Sequence, residues 1–569
     1  MLCPQSNLHR TTTSLDGLWD FRIQRADDDA SQWHAGFPGG RPVAVPASFN
    51  EQFTDYETFN HMGVAWYARR ISFPEAGSGR RVFLYFGAVN YRADVFLDGA
   101  QIGSHVTGYT PFECDLGRAS GGLLVVRVDC ALTPETVPQG GFDKAAILGL
   151  TSPFHPSVNF DFFPYSGILR PATICSTSES ALESLRIETD PCDGQARVRV
   201  VAGIRGAAGS LRFRVEETGE GGECRAGEAM EFPMSAPRLW DVWQPNLYHL
   251  AVEVVAGGVV VDSYRQPFGV RRVEVAGDRI LLNGRPVYLK GFGRHEDFPV
   301  IGRGLAEAVN VRDMELLRWI GGNSFRTAHY PPAEEMLNLA DRLGVLVIAE
   351  SPAVSMIPSA ASAATLELHC EAIREMIRRD ANHPSVIAWC LANEAHSDEP
   401  EAVPYFEKVF AAARAEDATR PMMIVMCRFP NEKCHHLCDI VGLNAYPGWY
   451  GGGAPLAETQ AYFRKFLDEV RGLTGKPILM TEFGADAVAG MHSLPAGLWT
   501  EDYQSDLIQA LIDVLREKCY IAGEHLWAFA DFHTAQNHFR AHGNRKGLFT
   551  RDRQPKLAAR LLRQRWHES

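Results

Sequence analysis

Between Val287 and Trp527 the chain alternates short apolar runs with stretches of helical periodicity, and few folds accommodate that order. The runs are Val287-Tyr-Leu-Lys-Gly291, Asn323-Ser-Phe-Arg326, Val345-Leu-Val-Ile-Ala349, Val386-Ile-Ala-Trp389, Met422-Met-Ile-Val-Met426, Ile440-Val-Gly-Leu443, Ile478-Leu-Met480 and His525-Leu-Trp527. Short and largely apolar, they suit parallel strands buried on both faces. Between them, Leu366, Cys370, Ile373 and Ile377 share one helical face, as do Met336, Leu339, Ala340 and Leu343. Eight such βα units in about 300 residues close into a (β/α)₈ TIM barrel. A last helix is expected over Pro555–Leu562.

The preceding residues follow a different period. Leu15–Ile23, Ala65–Ile71, Arg81–Phe86, Ala93–Leu97 and Leu123–Val128 are short, aromatic or β-branched, and bounded by Gly, Pro, Asp or Asn, which predicts a β-sandwich. Ala196–Val201, Leu211–Val215, Tyr248–Val254 and Val259–Val261 alternate in polarity and fit a second, immunoglobulin-like sandwich. The expected domains are therefore 1–177, 178–272 and 273–569, consistent with a length of 569 residues.

Composition narrows the function. A net charge of −13 offers no positive field for nucleic acid. No apolar run approaches the length of a membrane span, and Met1–Arg10 lacks the apolar core of a signal peptide. Twelve scattered cysteines suit reduced thiols in a cytoplasm. Cys434-His-His-Leu-Cys438 has no matching second cluster and is taken as a polar segment before a strand, so neither metal nor cofactor is expected.

A closed barrel directs chemistry to the rim at the C-terminal ends of its strands. Two runs end there on carboxylates: Trp389-Cys-Leu-Ala-Asn393-Glu394 and Pro477-Ile-Leu-Met-Thr481-Glu482. A facing carboxylate pair is what glycoside hydrolysis requires, and a separation of about 5–5.5 Å gives retention of configuration. Arg294, His295, Glu296, Asp297, Arg326, His329, Tyr330, Glu350, Asn444, Tyr446, Trp449, Tyr450, Trp527 and Asp531 follow other strands. Such acids, amides, imidazoles and aromatic plates match a sugar, whose hydroxyls need hydrogen bonds and whose apolar face stacks on rings. Taken singly, a strand-end Glu or His is more often a paired structural residue. That bland reading is weakened by the convergence, and retained for Glu350 and Asp297.

Several ordered motifs sharpen this: Leu15-Asp-Gly-Leu-Trp-Asp-Phe21, Tyr109-Thr-Pro-Phe-Glu113, Asp161-Phe-Phe-Pro-Tyr-Ser-Gly-Ile168, Leu289-Lys-Gly-Phe-Gly-Arg-His-Glu-Asp297, Asn393-Glu394, Thr481-Glu-Phe-Gly484 and Trp527-Ala-Phe-Ala-Asp-Phe532. With them the chain resembles glycoside hydrolase family 2, and within it the β-glucuronidases, over nearly its whole length. The resemblance implies a jelly-roll sandwich, an immunoglobulin-like sandwich and a catalytic barrel, assembled as a homo-oligomer (tetramer or dimer). It implies Glu482 as nucleophile and Glu394 as acid/base, kept protonated by the charge on Glu482. Asn393 would bond the sugar 2-hydroxyl and Tyr446 would hold Glu482, while Asp161, His295, His329, Tyr450 and Trp527 match sugar-contacting positions. Asn544 and Lys546 match an Asn-x-Lys pair that recognises a uronate carboxylate, with Arg540 as a further basic contact.

On that reading Lys546 stays unpaired beside a neutral sugar, which favours β-glucuronides. A β-galacturonide differs only at C4 and is the near alternative. A neutral-sugar hydrolase of the same family is the stronger rival than a non-catalytic binder, since binding alone does not require both carboxylates and Asn393. Three departures from the family stand out: Ala395 for a common Pro, Pro447 after Tyr446, and a short apolar stretch Ser351–Thr365. The last implies an open rim suited to larger or polymeric glucuronides.

Overall fold

The computed structural model describes residues 1–73, 80–117, 119–141, 158–206, 209–536 and 539–568. The first sandwich packs a six-stranded sheet, in which Gly17–Ile23, Val64–Ser72 and Gly121–Asp129 are neighbours, on a four-stranded sheet centred on Ala172–Ser178 and Arg80–Phe86. Alternation explains the packing: Leu18 faces solvent, while Trp19 and Phe21 point inward against Tyr67, Leu84, Phe86 and Val126. The second sandwich sets Ala181–Cys192, Gln195–Arg205 and Ala229–Ser235 against Gly221–Arg225, Ser210–Val215, Leu247–Ala256 and Val259–Gly269.

The barrel is closed and parallel. Its strands are β1 Leu289–Arg294, β2 Ser324–Thr327, β3 Leu346–Glu350, β4 Val386–Asn393, β5 Met422–Met426, β6 Val441–Asn444, β7 Ile478–Glu482 and β8 Ile521–Leu526. Every expected strand is present, but β8 starts four residues earlier than its apolar run. Gly523 interrupts that run because the chain needs a glycine there: a Cβ would meet Leu289 on β1 at 2.6 Å.

The barrel helices are α1 Glu307–Ile320, α2 Glu334–Leu343, α3 Ala363–Asp380, α4 Ala402–Glu416, α5 Leu456–Thr474, α6 Glu501–Arg516 and α7 Leu557–Glu568. The β5–β6 connection differs from the expected βα unit: it carries only a 3₁₀ turn, His435–Leu437. Lys476 caps that turn by donating to the carbonyls of His435 and His436, at 3.1 and 2.7 Å. Cys434 and Cys438 are buried there as free thiols. The final helix starts at Leu557 rather than Pro555, where Glu501 accepts the Leu557 N–H as its cap.

Each sandwich meets a different end of the barrel. Trp240, Val273, Ile280 and Leu282, around the end of the second sandwich and the hairpin after it, pack on Leu289, Leu346, Ile387, Ile440 and Ala522 at the strand starts. Arg271 fixes this contact, donating to Pro384 O and Val386 O at 2.9 Å each. The first sandwich instead reaches the strand ends. Tyr109 and Phe162 join Tyr330, Val354, Trp527 and Phe532 in one apolar cluster, and Arg303 lies 4.1 Å over the Tyr330 ring. That cluster carries Phe160 and Asp161 over the rim.

Candidate active site

The rim encloses a cleft of about 580 Å³, within the range of small-molecule sites. Asp161, His329, Asn393, Glu394, Tyr446, Tyr450, Glu482, Trp527 and Arg540 all line it. His295 sits immediately behind, its ring 5.4 Å from His329 and 5.2 Å from Trp527. Asn544 and Lys546 lie deeper and are buried.

Glu482 ends β7 and is almost fully buried. Two donors converge on it: Arg326 Nη2 at 2.5 Å on Oε1 and Tyr446 OH at 2.6 Å on Oε2. Burial pushes the Glu482 carboxyl above its ordinary range; Arg326 opposes that shift and nearby Glu394 adds to it. Burial and the Glu482 charge also raise Tyr446 well above the usual phenol range, so its hydroxyl remains a donor. Arg326 is itself fully buried and spans two acids, since its Nη1 donates to Glu350 at 2.5 Å. His329 Nδ1 is 2.7 Å from the other Glu350 oxygen. Burial would raise Glu350, but Arg326 and His329 outweigh it and hold the carboxyl low. Glu350 thus anchors Arg326 and His329, as the bland reading of that residue expects. Asp297 likewise pairs with Arg551, at 2.5 Å, outside the cleft lining.

Glu394 is held differently. The β4 ladder shifts register between Cys390 and Asn393, and Glu394 follows with φ +47°, a left-handed conformation that costs a non-glycine residue about 1–3 kcal/mol. Its N–H is tied to Val425 O at 2.9 Å, and Ser355 N–H donates to Asn393 O at 2.8 Å. The outcome is a carboxylate turned into the cleft with one side-chain donor among the described residues, Asn444 Nδ2 at 2.9 Å. Asn444 pairs with Glu482 in the β6–β7 register, so it links the two acids. Asn393 Oδ1 faces Arg326 Nη1 and Asn444 Nδ2, each at 3.4 Å.

Trp527 and His329 stack with 19° between their planes. Burial, then electrostatic opposition from His329, Arg303 and Arg326, depresses His295 well below the usual imidazole range, so it is neutral. Its Nδ1 meets Tyr330 OH at 3.1 Å, and its buried Nε2 has no hydrogen-bond partner among the described residues.

The loop after β8 is a charge cluster. Arg540 grips Asp161 with Nε at 3.1 Å and Nη2 at 2.5 Å, and reaches Tyr450 OH at 3.0 Å. Asn544 Nδ2 donates to Asp161 at 2.8 Å, while its Oδ1 accepts the Lys546 N–H at 3.0 Å. Lys546 does not stand unpaired as expected: its Nζ donates to Asp486, under the rings of Tyr450, Trp449 and Tyr446 at 4.8, 5.4 and 5.5 Å. Asp486 and Arg326 are the site's missed members. Arg326 sits one residue before the end of β2, a rim position whose role the sequence does not give. Asp486 lies in an aperiodic loop four residues past Glu482, where no sequence signal marks it.

Relatives agree with this architecture. Residues 12–177, 178–271 and 273–569 match, in turn, the sugar binding domain, the family named Glycosyl hydrolases family 2, and its TIM barrel domain. A β-glucuronidase of Paenibacillus borealis is 38% identical, with 100% of this chain and 99% of the relative covered. One of Rattus norvegicus is 35% identical, with 100% and 92% covered. The crystal structure of Ruminococcus gnavus β-glucuronidase superposes with a TM-score of 0.93 at 36% identity, covering 100% of this chain and 98% of that one. The chain belongs to glycoside hydrolase family 2.

Proposed function

We propose that the protein is a retaining β-glucuronidase, releasing glucuronic acid from β-D-glucuronides through a covalent glycosyl-enzyme. The carrying observation is the unequal treatment of two acids on one rim. Glu482 receives a guanidinium and a phenol hydroxyl, both of which favour its anion, whereas Glu394 receives one neutral amide. This difference assigns the nucleophile's role to Glu482 and the acid/base role to Glu394. Glu482 then attacks the anomeric carbon while Glu394 protonates the departing oxygen. Ester formation removes the Glu482 charge, and Glu394 becomes the base that activates water. We assign Asn393 to the 2-hydroxyl, Trp527 to the sugar face, and His295 Nε2 and His329 to further hydroxyls.

The uronate preference rests on the cations and amide gathered at one end of the cleft. Arg540 and Lys546 pair with Asp161 and Asp486, while Arg545 and Lys556 pair separately with Asp531. Arg540 and Lys546 are cations that a sugar carboxylate could share with Asp161 and Asp486, with the amide of Asn544 as a further donor. Asn544 and Lys546 define this end from below, with Arg540 and Tyr450 at the cleft surface. Structures of the R. gnavus enzyme in complex with D-glucuronic acid and with D-glucaro 1,5-lactone support the same choice.

The free state of all twelve cysteines supports a reducing, cytoplasmic setting, and family resemblance supports a homo-oligomer. No described helix is long and apolar enough to cross a membrane. The deciding experiment assays the p-nitrophenyl β-glycosides of glucuronate, galacturonate, galactose and mannose side by side. Turnover led by the glucuronide is expected; a neutral glycoside cleaved fastest would refute the assignment.

A further inference from the structure

The cleft continues past Glu394 into an arc that bond cleavage does not use. There the loops after β5 and β6 and helix α5 supply Cys427, Phe429, Pro447, Tyr462 and Phe466. Tyr462 and Phe466 are four residues apart on α5 and therefore share a face. Their rings lie 9° from parallel with centroids 6.1 Å apart. Phe466 rests on the barrel core, which fixes it, while Tyr462 is 61% exposed. One exposed tyrosine needs no explanation. Two parallel rings, one anchored and one open, on the wall of the cleft that holds Glu394 are a surface shaped for a flat partner.

Charge selects the kind of partner. Asp161 and Arg540 stand with the β8 loop, and Arg540 is engaged there by Asp161 and Tyr450. Among the described lining residues Glu394 is the only charged group on the β4–β6 arc. A leaving group that was itself an acidic sugar would face the carboxylate of Glu394 with no cation among the described lining residues of this arc, since nearby Arg428 and Lys465 are paired with Asp398 and Glu469. A neutral planar ring would gain stacking contacts and cover apolar surface.

We propose that Tyr462 and Phe466 form a stacking platform for a planar, uncharged aromatic aglycone. This inference rests on the β-glucuronidase reading, and it argues against the polymeric substrates suggested by the short Ser351–Thr365 segment.

The test compares 4-methylumbelliferyl β-D-glucuronide, methyl β-D-glucuronide and a glucuronate-terminated acidic disaccharide. Tyr462→Ala should lower the kcat/KM ratio of the umbelliferyl over the methyl substrate about three- to tenfold, the range expected for one aromatic contact. Tyr462→Phe should retain the ratio, since the ring and not its hydroxyl does the stacking. A ratio unmoved by Tyr462→Ala, or a wild-type enzyme that prefers the acidic disaccharide, overturns the platform alone. A wild-type enzyme that cleaves none of the three overturns the reaction assignment and the platform with it.

Discussion

At the N-terminal end of the barrel strands, Trp240, Ile280 and Leu282 close the interior with an apolar plug around Leu289, Leu346 and Ile387. At the C-terminal end the same strands terminate on buried charge: Arg326, Glu350 and Glu482, with Lys546 and Asp486 close behind. Burying paired charges is a poor route to stability compared with apolar packing of the same volume. The plug therefore bears the stability of the barrel, and the rim spends some of it to hold reacting groups in place. Substitutions at the two ends should separate cleanly into effects on folding and effects on rate.

The strongest attempt to break that contrast removes the group most heavily gripped at the rim. Glu482→Ala should lower kcat on an aryl β-glucuronide at least about a thousandfold while leaving a folded protein. External azide should restore part of the activity and give a glucuronyl azide of inverted, α configuration. Rescue with retained configuration would remove Glu482 from the nucleophile's role.

The converse substitution lies in the plug. Trp240 is fully buried, and its indole N–H donates to Asp341 O at 2.8 Å. Trp240→Ala should cost about 3–5 kcal/mol in urea unfolding through the cavity it opens. The kcat of the protein that remains folded should stay within about threefold of wild type. A kcat collapse at unchanged stability would mean that the two ends are not independent.

Lys546 sharpens the contrast, because it combines recognition with a buried ion pair. Lys546→Ala should reduce kcat/KM on a glucuronide about ten- to a hundredfold, as for one or two charge-assisted contacts, and leave trace glucoside turnover far less affected. It should also lower the melting temperature, since buried Asp486 loses its tightest ion-pair partner and keeps only the longer contact with Arg540 at 3.5 Å. Adding Asp486→Asn should return part of the melting temperature without returning uronate selectivity. Equal losses on both sugars would reduce Lys546 to a structural cation.

How far the sequence reveals this contrast depends on periodicity. Glu394 and Glu482 are visible because each closes an apolar run, and a strand end in a barrel has one destination. The plug is partly visible, as the alternation of the hairpin Ile280–Tyr288 just before β1. Ion-pair partners are hidden: Asp486 reaches Lys546 across 60 positions, and Asp161 reaches Arg540 across 379. Such pairings follow from tertiary closure, which leaves no local pattern. The missing helix between β5 and β6 was obscured for a related reason. A connection that short has too few turns for a period to appear, so no local pattern sets it apart from the helical connections on either side.

The mildest test concerns the layer between rim and plug, where buried imidazoles replace both ion pairs and apolar packing. His369, on α3, meets Tyr405 OH at 3.0 Å and Leu391 O of β4 at 2.9 Å, close below Glu394. Burial depresses it to about 4 from an ordinary value near 6.5. The unfolded chain therefore binds a proton that the folded chain refuses throughout that interval. Stability from this group is fully present above about pH 6.5 and is lost as the pH falls towards 4, with a slope of one proton at most. Between pH 6.5 and 5.5 the loss is about 1 kcal/mol. His369→Gln should flatten the pH dependence of unfolding by that amount, although His525 and His533, depressed to about 3 and 4, maintain the rest of the slope. An unchanged slope would mean that His369 takes up its proton in the folded state, and the β4 layer under Glu394 would then be as polar as the rim above it.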